Sequence, residues 1–302
     1  MTETPPVTRC GFVALIGAPN AGKSTLVNQL VGAKVSIVTP KVQTTRTRVL
    51  GIVLKDDCQL CLIDTPGIFT ARRRLDRAMV AAAWSGAADA DAIVLIVDAS
   101  RKLQAETKAI IKALKESGRP AMLALNKIDQ IKREALLTKA AQLNEMFDFD
   151  ATFMISAMKG DGVDRLTNHL AGLMPEGPWL YPEDEISDMP ERLLAAEITR
   201  EQVFLKLHDE LPYAMTVETE EYKTQKDGSI RIEQTIYVTR ATHKAMILGK
   251  GGAKIKAISQ NAREQLEAEL DCRIHLFCFV KQREGWMDDS ERYEAWGLDP
   301  NA

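Results

Sequence analysis

Residues Gly17-Ala18-Pro19-Asn20-Ala21-Gly22-Lys23-Ser24 match the spacing G-x-x-x-x-G-K-[ST] without deviation. Each residue type meets a need of polyphosphate binding. Small residues let successive backbone N–H groups converge on phosphate oxygens. Gly22 allows a close backbone approach, and a helix beginning near Lys23 would point its positive end at the anion. Lys23 can reach β and γ phosphates, and the Ser24 hydroxyl suits Mg²⁺. Further along, Asp64-Thr65-Pro66-Gly67 follows an apolar run. There a carboxylate can reach Mg²⁺ through water, and the Gly67 N–H can bond a γ-phosphate. Between the two lies Gln43-Thr44-Thr45-Arg46-Thr47. A threonine in this loop can complete the metal shell only when a γ-phosphate is present. Thr45 is favoured over Thr44, with an ordinary solvated polar loop as the alternative.

Asn126-Lys127-Ile128-Asp129 follows a further apolar run. A carboxylate at Asp129 accepts hydrogen bonds from guanine N1–H and the 2-amino group. Adenine offers neither donor on that edge, so the pair selects guanine. Ser156-Ala157 completes the set, with the Ala157 N–H directed at guanine O6. Many GTPases carry Lys after Ser-Ala; here Met158 stands, so stacking from that position is different or absent. Ile68 occupies the place where Ras-like enzymes carry a water-orienting Gln. An apolar side chain cannot polarise water, so slow intrinsic turnover is expected. Asn20 is a candidate ligand for an activating cation, K⁺ being the one to test; a turn-forming Asn is the equal alternative.

These residues need a scaffold that presents loops from strand ends. Phe12–Ile16, Leu60–Ile63, Ala92–Val97, Ala121–Leu125 and Thr152–Ile155 read as strands. Helices are expected over Lys23–Val31, Ala105–Glu116, Glu134–Met146 and Val163–Leu173. The alternation predicts a mostly parallel sheet with helices on both faces. Pro175–Glu191 then holds four prolines and six acids but no Lys or Arg, which reads as a stiff, solvated linker. A second unit follows with the order αββααβ. Its Gly249-Lys250-Gly251-Gly252 loop joins two helices, as in KH modules that clamp a nucleic-acid backbone. From Ala241 to Arg263 five basic residues (Lys244, Lys250, Lys254, Lys256 and Arg263) occur without an acid. Residues 192–302 nonetheless count 16 basic and 19 acidic side chains, so the footprint is a patch rather than a basic domain.

Composition narrows the class. At 302 residues the chain suggests about two domains. Its 45% hydrophobic and 27% charged residues are ordinary for a folded, soluble protein. A net charge of −3 gives no whole-chain attraction to nucleic acid or membrane. No apolar run is long enough for a transmembrane helix, and the N-terminus does not read as a secretion signal. Five cysteines form no disulfide framework. Cys58 and Cys61, three apart on a strand, point to opposite faces and cannot share a metal. The histidines show no ligand spacing. A reducing cytoplasm is the simplest compartment.

The chain resembles the Era family of bacterial GTPases. The resemblance rests on G-A-P-N-A-G-K-S at Gly17–Ser24, Q-T-T-R at Gln43–Arg46, D-T-P-G at Asp64–Gly67, N-K-I-D at Asn126–Asp129 and I-S-A at Ile155–Ala157. L-P-Y at Leu211–Tyr213 and G-K-G-G-A-K-I-K at Gly249–Lys256 extend it to the C-terminal half. It implies a P-loop GTPase domain at 9–175, a linker at 176–191, a type II KH domain at 192–285 and a tail at 286–302. It further implies GTP, GDP and Mg²⁺ as ligands, with Ser24, Thr45 and Asp64 at the metal. Nucleotide contacts would run over Gly17–Thr25, Asp64–Gly67, Asn126, Lys127, Asp129, Ser156 and Ala157. Lys23, Thr45 and Gly67 would serve catalysis, and Gly249–Gly252 with Lys254 and Lys256 would bind RNA. The implied partner is the 3′ end of 16S ribosomal RNA during 30S assembly. The implied state is a cytoplasmic monomer with some peripheral inner-membrane association. A metabolic P-loop kinase or ATPase is the alternative enzyme, disfavoured by Asn126–Asp129. A nucleotide-independent RNA scaffold is the non-enzyme alternative, disfavoured by Lys23, Ser24 and Asp64.

Overall fold

A computed structural model describes residues 7–41, 44–71, 73–207, 214–286, 293 and 296–299. Gln43, His208, the Leu211–Tyr213 motif and the tail acids Asp288, Asp289, Glu291 and Glu294 lie outside the described residues. The chain divides into two compact units, one within residues 1–36, 45–188 and 292–302, the other within 37–44 and 189–291.

In the first unit the order is β1 Arg9–Ile16, α1 Lys23–Val31, β2 Val49–Lys55, β3 Cys58–Asp64, α2 Arg74–Ala88, β4 Ala92–Asp98 and α3 Ala105–Ser117. β5 Met122–Asn126, α4 Arg133–Met146, β6 Thr152–Met154 and α5 Val163–Leu173 complete it. Six strands form one sheet in the order β2-β3-β1-β4-β5-β6. β1 pairs in parallel with β3 and β4, and β2 alone runs antiparallel, against β3. β4 is buried at every position, as expected of an inner strand covered on both faces. The loops that follow β1, β3, β5 and β6 leave their carboxyl ends, where open α/β sheets place ligands. β2 and α2 have no counterpart in the sequence reading.

Residues 176–188 differ from the solvated linker expected. The Ile52 N–H donates to the Ile186 carbonyl at 2.9 Å, and Gly51 bridges to Ser187. Trp179 and Tyr181 pack against Cys10, Leu50, Ile52, Cys61 and Ile63. Buried Gln59 accepts from the Leu180 and Tyr181 N–H groups at 2.9 and 3.0 Å and donates to the Tyr181 carbonyl at 2.8 Å. Two aromatic side chains and the backbone at Ile186 and Ser187 thus fasten this acidic stretch along β2. The tail also has a place: Tyr293 and Leu298 are buried with Leu75, Ala78 and Met79 of α2. All five cysteines are free thiols, and burial pushes Cys58 up to about 11 and Cys61 to about 12.

The second unit contains α6 Glu191–Lys206, β7 Met215–Thr224, β8 Ile230–Val238, α7 Ala241–Leu248, α8 Ala253–Leu270 and β9 Ile274–Gln282. β8 pairs antiparallel with β7 and parallel with β9. Ile232, Ile236 and Val238 share one face of β8 by period-2 alternation and are fully buried. Ile258, Ala262 and Leu266 of α8 are buried too, as their 3–4 spacing predicts.

Candidate nucleotide and RNA sites

Gly22 caps α1 at φ 101°, a left-handed backbone suited to glycine. A Cβ there would lie 2.1 Å from Asn126 Nδ2, so the absent side chain is what lets Asn126 reach the loop. Asn126 Nδ2 donates to the Ala21 carbonyl at 2.8 Å. The phosphate loop and the base loop are therefore tied together directly.

Lys23 is buried, with Nζ 3.3 Å from the Gly17 carbonyl and 3.4 Å from that of Ala18. Burial pushes its ammonium below the usual lysine range, with Asp64 acting in opposition. Asp64 is fully buried at the end of β3. Its Oδ2 accepts from Ser24 Oγ at 2.6 Å, Ser36 Oγ at 2.8 Å and Thr45 Oγ1 at 3.5 Å. Burial pushes the carboxyl up; Lys23 first, then the three hydroxyls, act against it. Asp64 Oδ1 is buried with no hydrogen-bond partner. A partnerless carboxylate oxygen beside two hydroxyls fits a hard dication that keeps water ligands. Among the described residues no three His, Cys, Asp or Glu side chains converge.

Thr44 and Thr45, equivalent by composition, are separated by geometry. Thr45 Oγ1 lies 2.9 Å from Ser24 Oγ. Thr44 Oγ1 instead bonds the Lys41 carbonyl at 2.7 Å and Thr39 Oγ1 at 2.6 Å. Thr65 Oγ1 donates to the Leu15 carbonyl at 2.8 Å and locks the loop after β3; Pro66 is buried beside it. At Gly67 a Cβ would come within 2.9 Å of Pro19 Cα. Ile68 is buried in the core, and its N–H donates to the Gly17 carbonyl at 3.1 Å.

Around the base loop, Ser156 Oγ donates to Asp129 Oδ1 at 2.7 Å, and Lys159 Nζ lies 4.0 Å from Asp129 Oδ2. Lys127 Nζ reaches the Asn20 carbonyl at 2.8 Å and Asp98 Oδ2 at 2.7 Å. Asn20 holds φ 62°. The Ala157 N–H, expected to face guanine O6, donates to Asn126 Oδ1 at 2.9 Å. Met158 is 76% exposed, and Thr25 lies in the first turn of α1.

Three site residues escaped the sequence reading. Ser36 adds a third hydroxyl to Asp64, and Asn28 holds it there. Asn28 Oδ1 accepts from the Val35 and Ser36 N–H groups at 3.0 and 2.9 Å, while its Nδ2 donates to the Ser36 carbonyl at 2.7 Å. Asp98 anchors Lys127. Burial alone would raise its carboxyl, but hydrogen bonds from Lys127 and Ser100 hold it below the usual range. None of the three falls in a recognisable motif; Asp98, last residue of an apolar strand, gave the only signal.

In the second unit Gly249, Gly251 and Gly252 all have positive φ, at 71°, 59° and 77°. A Cβ on Gly249 would meet Lys254 Cβ at 2.7 Å, so α8 begins close against this turn. Lys250 and Lys256 are exposed and Lys254 half-buried. Arg263 is paired with Glu267 at 2.8 Å, which withdraws it from the basic patch.

A family model described as a 50S ribosome-binding GTPase matches residues 12–127, and a KH-domain model matches 210–287. GTPase Era of Sinorhizobium medicae (strain WSM419) is 58% identical over 292 residues, 97% of this chain and 94% of that protein. GTPase Era of Mesorhizobium japonicum is 55% identical over 298 residues, 99% of this chain and 96% of that protein. Among solved structures, an Aquifex aeolicus Era variant bound to GDP and AlF4⁻ aligns with TM-score 0.91 at 35% identity, covering 96% of this chain and 99% of that one. Era in complex with MgGDPNP and nucleotides 1506–1542 of 16S ribosomal RNA aligns with TM-score 0.90 at 35% identity over the same shares. The loops that bind Asn126 to Ala21 and Asp64 to Ser24 thus sit in a chain that, over nearly its whole length, belongs to the Era family of GTPases.

Proposed function

We propose that this protein binds GTP and GDP with Mg²⁺ in the first unit, hydrolyses GTP slowly, and binds the 3′ end of 16S ribosomal RNA through the Gly249–Gly252 loop during 30S subunit assembly. The observation that carries the nucleotide half is the buried Asp64 carboxylate with one free oxygen, faced by the Ser24 and Thr45 hydroxyls. Ser24, Thr45 and Asp64 would hold Mg²⁺, which would supply positive charge to neutralise what develops on the phosphate oxygens. Ser24 and Thr45 present hydroxyl oxygens to that position, and Asp64 acts through water. Lys23 exchanges its loop carbonyls for β- and γ-phosphate oxygens, and backbone N–H groups of Ala18–Thr25 cradle them. Thr65 and Pro66 fix the turn that brings the Gly67 N–H to the γ-phosphate. Asp129, oriented by Ser156, reads the guanine edge, while Asn126 and Lys127 hold the base loop to the phosphate loop.

Ile68 explains slow turnover. Its side chain is committed to the core and its N–H to Gly17, so neither can orient the attacking water. We assign that task to backbone or to a cation near Asn20, K⁺ being the candidate. For RNA, the positive-φ glycines let backbone approach phosphates, and Lys250, Lys254 and Lys256 add charge. Support for this half comes from the Era–16S rRNA complex, to which 96% of the chain aligns. The described residues include no helix long and apolar enough to cross a membrane. We propose a cytoplasmic monomer with peripheral association at the inner face of the membrane.

The test is titration of a labelled 16S rRNA 3′-end fragment against protein loaded with GDP or a non-hydrolysable GTP analogue. Nucleotide-dependent affinity is expected. Equal affinities would leave two independent domains on one chain.

A further inference from the structure

Lys127 and Asn20 are both held in the left-handed backbone region, at φ 65° and 62°, a conformation that residues with a Cβ rarely adopt. Such residues persist where their surroundings over-determine them. One ammonium joins the two: Lys127 Nζ donates to the Asn20 carbonyl at 2.8 Å. Asp98 Oδ2 anchors the same ammonium at 2.7 Å, from a side chain only 6% exposed. The parallel register of β4 on β5 sets Asp98 opposite Asn126, one residue before Lys127. Asp98 is itself fixed on its other oxygen. Its Oδ1 accepts from the Ser100 N–H at 2.9 Å and from Ser100 Oγ at 2.5 Å. Lys139 of α4 donates to the Ala99 and Arg101 carbonyls and so holds the turn that follows. Arg101 Nε lies 3.4 Å from Asp98 Oδ2, but its side chain is 54% exposed, and so open a pair contributes little.

We propose that Asp98 is a positioning residue for guanine-nucleotide retention: it anchors the Lys127 ammonium, so that the base loop and the phosphate loop stay closed on each other. This rests on the reading of Asn126–Asp129 as the base loop. A lysine ammonium sits on a flexible four-carbon stem with three rotatable donors. The Asn20 carbonyl offers it a neutral acceptor, which does not fix the stem. The Asp98 carboxylate adds a charge-assisted bond, about twice as strong as a neutral one, from a side chain that Ser100 locks in place. Without that bond the ammonium turns to water, its hold on the Asn20 carbonyl loosens, and both left-handed residues can relax. The tie from Asn126 to the Ala21 carbonyl remains, so the site loosens without being abolished. Base and inner phosphates are common to GDP and GTP, so the two nucleotides are affected alike.

The experiment measures dissociation rates of fluorescent GDP and of a fluorescent non-hydrolysable GTP analogue from the full-length protein. Asp98→Asn should release both about tenfold faster, the lower end of what a hydrogen bond to a charged group contributes. Asparagine keeps an oxygen for Ser100 and turns its NH₂ toward the ammonium, donor against donor. A role confined to the turn at Ser100 would therefore leave Asp98→Asn like the wild type and impair only Asp98→Ala. In a Lys127→Met background the effect of Asp98→Asn should vanish, since the two act through one contact. Wild-type release from Asp98→Asn, acceleration for one nucleotide only, or full additivity with Lys127→Met each overturns the proposal. Unchanged release from Lys127→Met overturns it through the role given to Lys127, whereas the base loop itself is tested separately by Asp129→Asn. Should Asp98→Asn lose its thermal unfolding transition, Ser100→Ala removes one of the two bonds on Asp98 Oδ1 and should speed release of both nucleotides in smaller measure; no acceleration there overturns the proposal.

Discussion

Asp129→Asn should convert a guanine site into a xanthine site. Asp129 Oδ1 accepts from Ser156 Oγ at 2.7 Å, and the side chain is only 15% exposed. The carboxylate is thus oriented, with its remaining lone pairs free for two donors on the base. An asparagine at this position must keep its oxygen toward the Ser156 hydroxyl, which turns its NH₂ toward guanine N1–H and the 2-amino group. Both charge-assisted bonds are lost, and donors face donors. At about 1.5–3 kcal/mol for each bond to a charged group, the loss is about 3–6 kcal/mol, or roughly 10²- to 10⁴-fold in GTP affinity. The Lys159 pair at 4.0 Å is half open to solvent; at up to about 1 kcal/mol it is too weak to account for such a change. Xanthine carries a 2-oxo group that accepts from the new NH₂, so XTP should regain much of what GTP loses. Competition binding of GTP, XTP and ATP to the wild-type and variant proteins measures this. A variant that keeps the wild-type guanine preference would refute the placement of the base against Asp129.

Ser36→Ala should weaken Mg²⁺-dependent nucleotide affinity less than Ser24→Ala does, because Ser36 only orients Asp64 while Ser24 offers its oxygen to the metal; Mg²⁺ titrations of nucleotide binding compare them. Lys23→Ala should abolish phosphate-dependent binding altogether, read as loss of discrimination between GTP and guanosine. Phosphate release measured in K⁺ and Na⁺ at equal ionic strength should be slow in both and faster in K⁺. Equal rates remove Asn20 as a cation ligand. Replacing Lys250 and Gly251 with Asp should abolish rRNA binding while GTP binding stays intact, whereas Lys254→Ala or Lys256→Ala should each flatten the salt dependence by about one unit of slope.

Residues that repeat a chemical demand at fixed spacing could be read directly from sequence. The phosphate loop, Asp64, Asn126–Asp129 and the Gly249 turn are short, contiguous and constrained by one ligand each. Thr45 could be favoured over Thr44 but not separated from it, because both are threonines in one loop and only folding sends their hydroxyls to different partners. Ser36 and Asn28 could not be found, since their roles arise from a turn that brings residues of α1 and the following loop onto Asp64. β2 reads V-L-G-I-V-L-K, an apolar run broken by a central Gly51 that packs against Val27 and Val31 of α1, and that break hid the strand. The acidic stretch at 176–188 reads as solvated because its average composition conceals Trp179 and Tyr181, the side chains that fasten it, and its backbone bonds to β2 leave no mark in sequence. Val38 and Thr44 bond Glu201 and Arg200 of α6, about 160 positions away, and no local pattern announces such a pairing.

The most direct measurement is crosslinking of full-length protein to cellular RNA, with sequencing of the bound fragments in the presence of GDP or a non-hydrolysable GTP analogue. Fragments concentrated at the 3′ end of 16S rRNA are expected, with a recovery that changes with the nucleotide, and loss of both when Lys250 and Gly251 are replaced by Asp. Fragments scattered over unrelated RNAs, or recovery at the 3′ end that is the same in both nucleotide states, would contradict it.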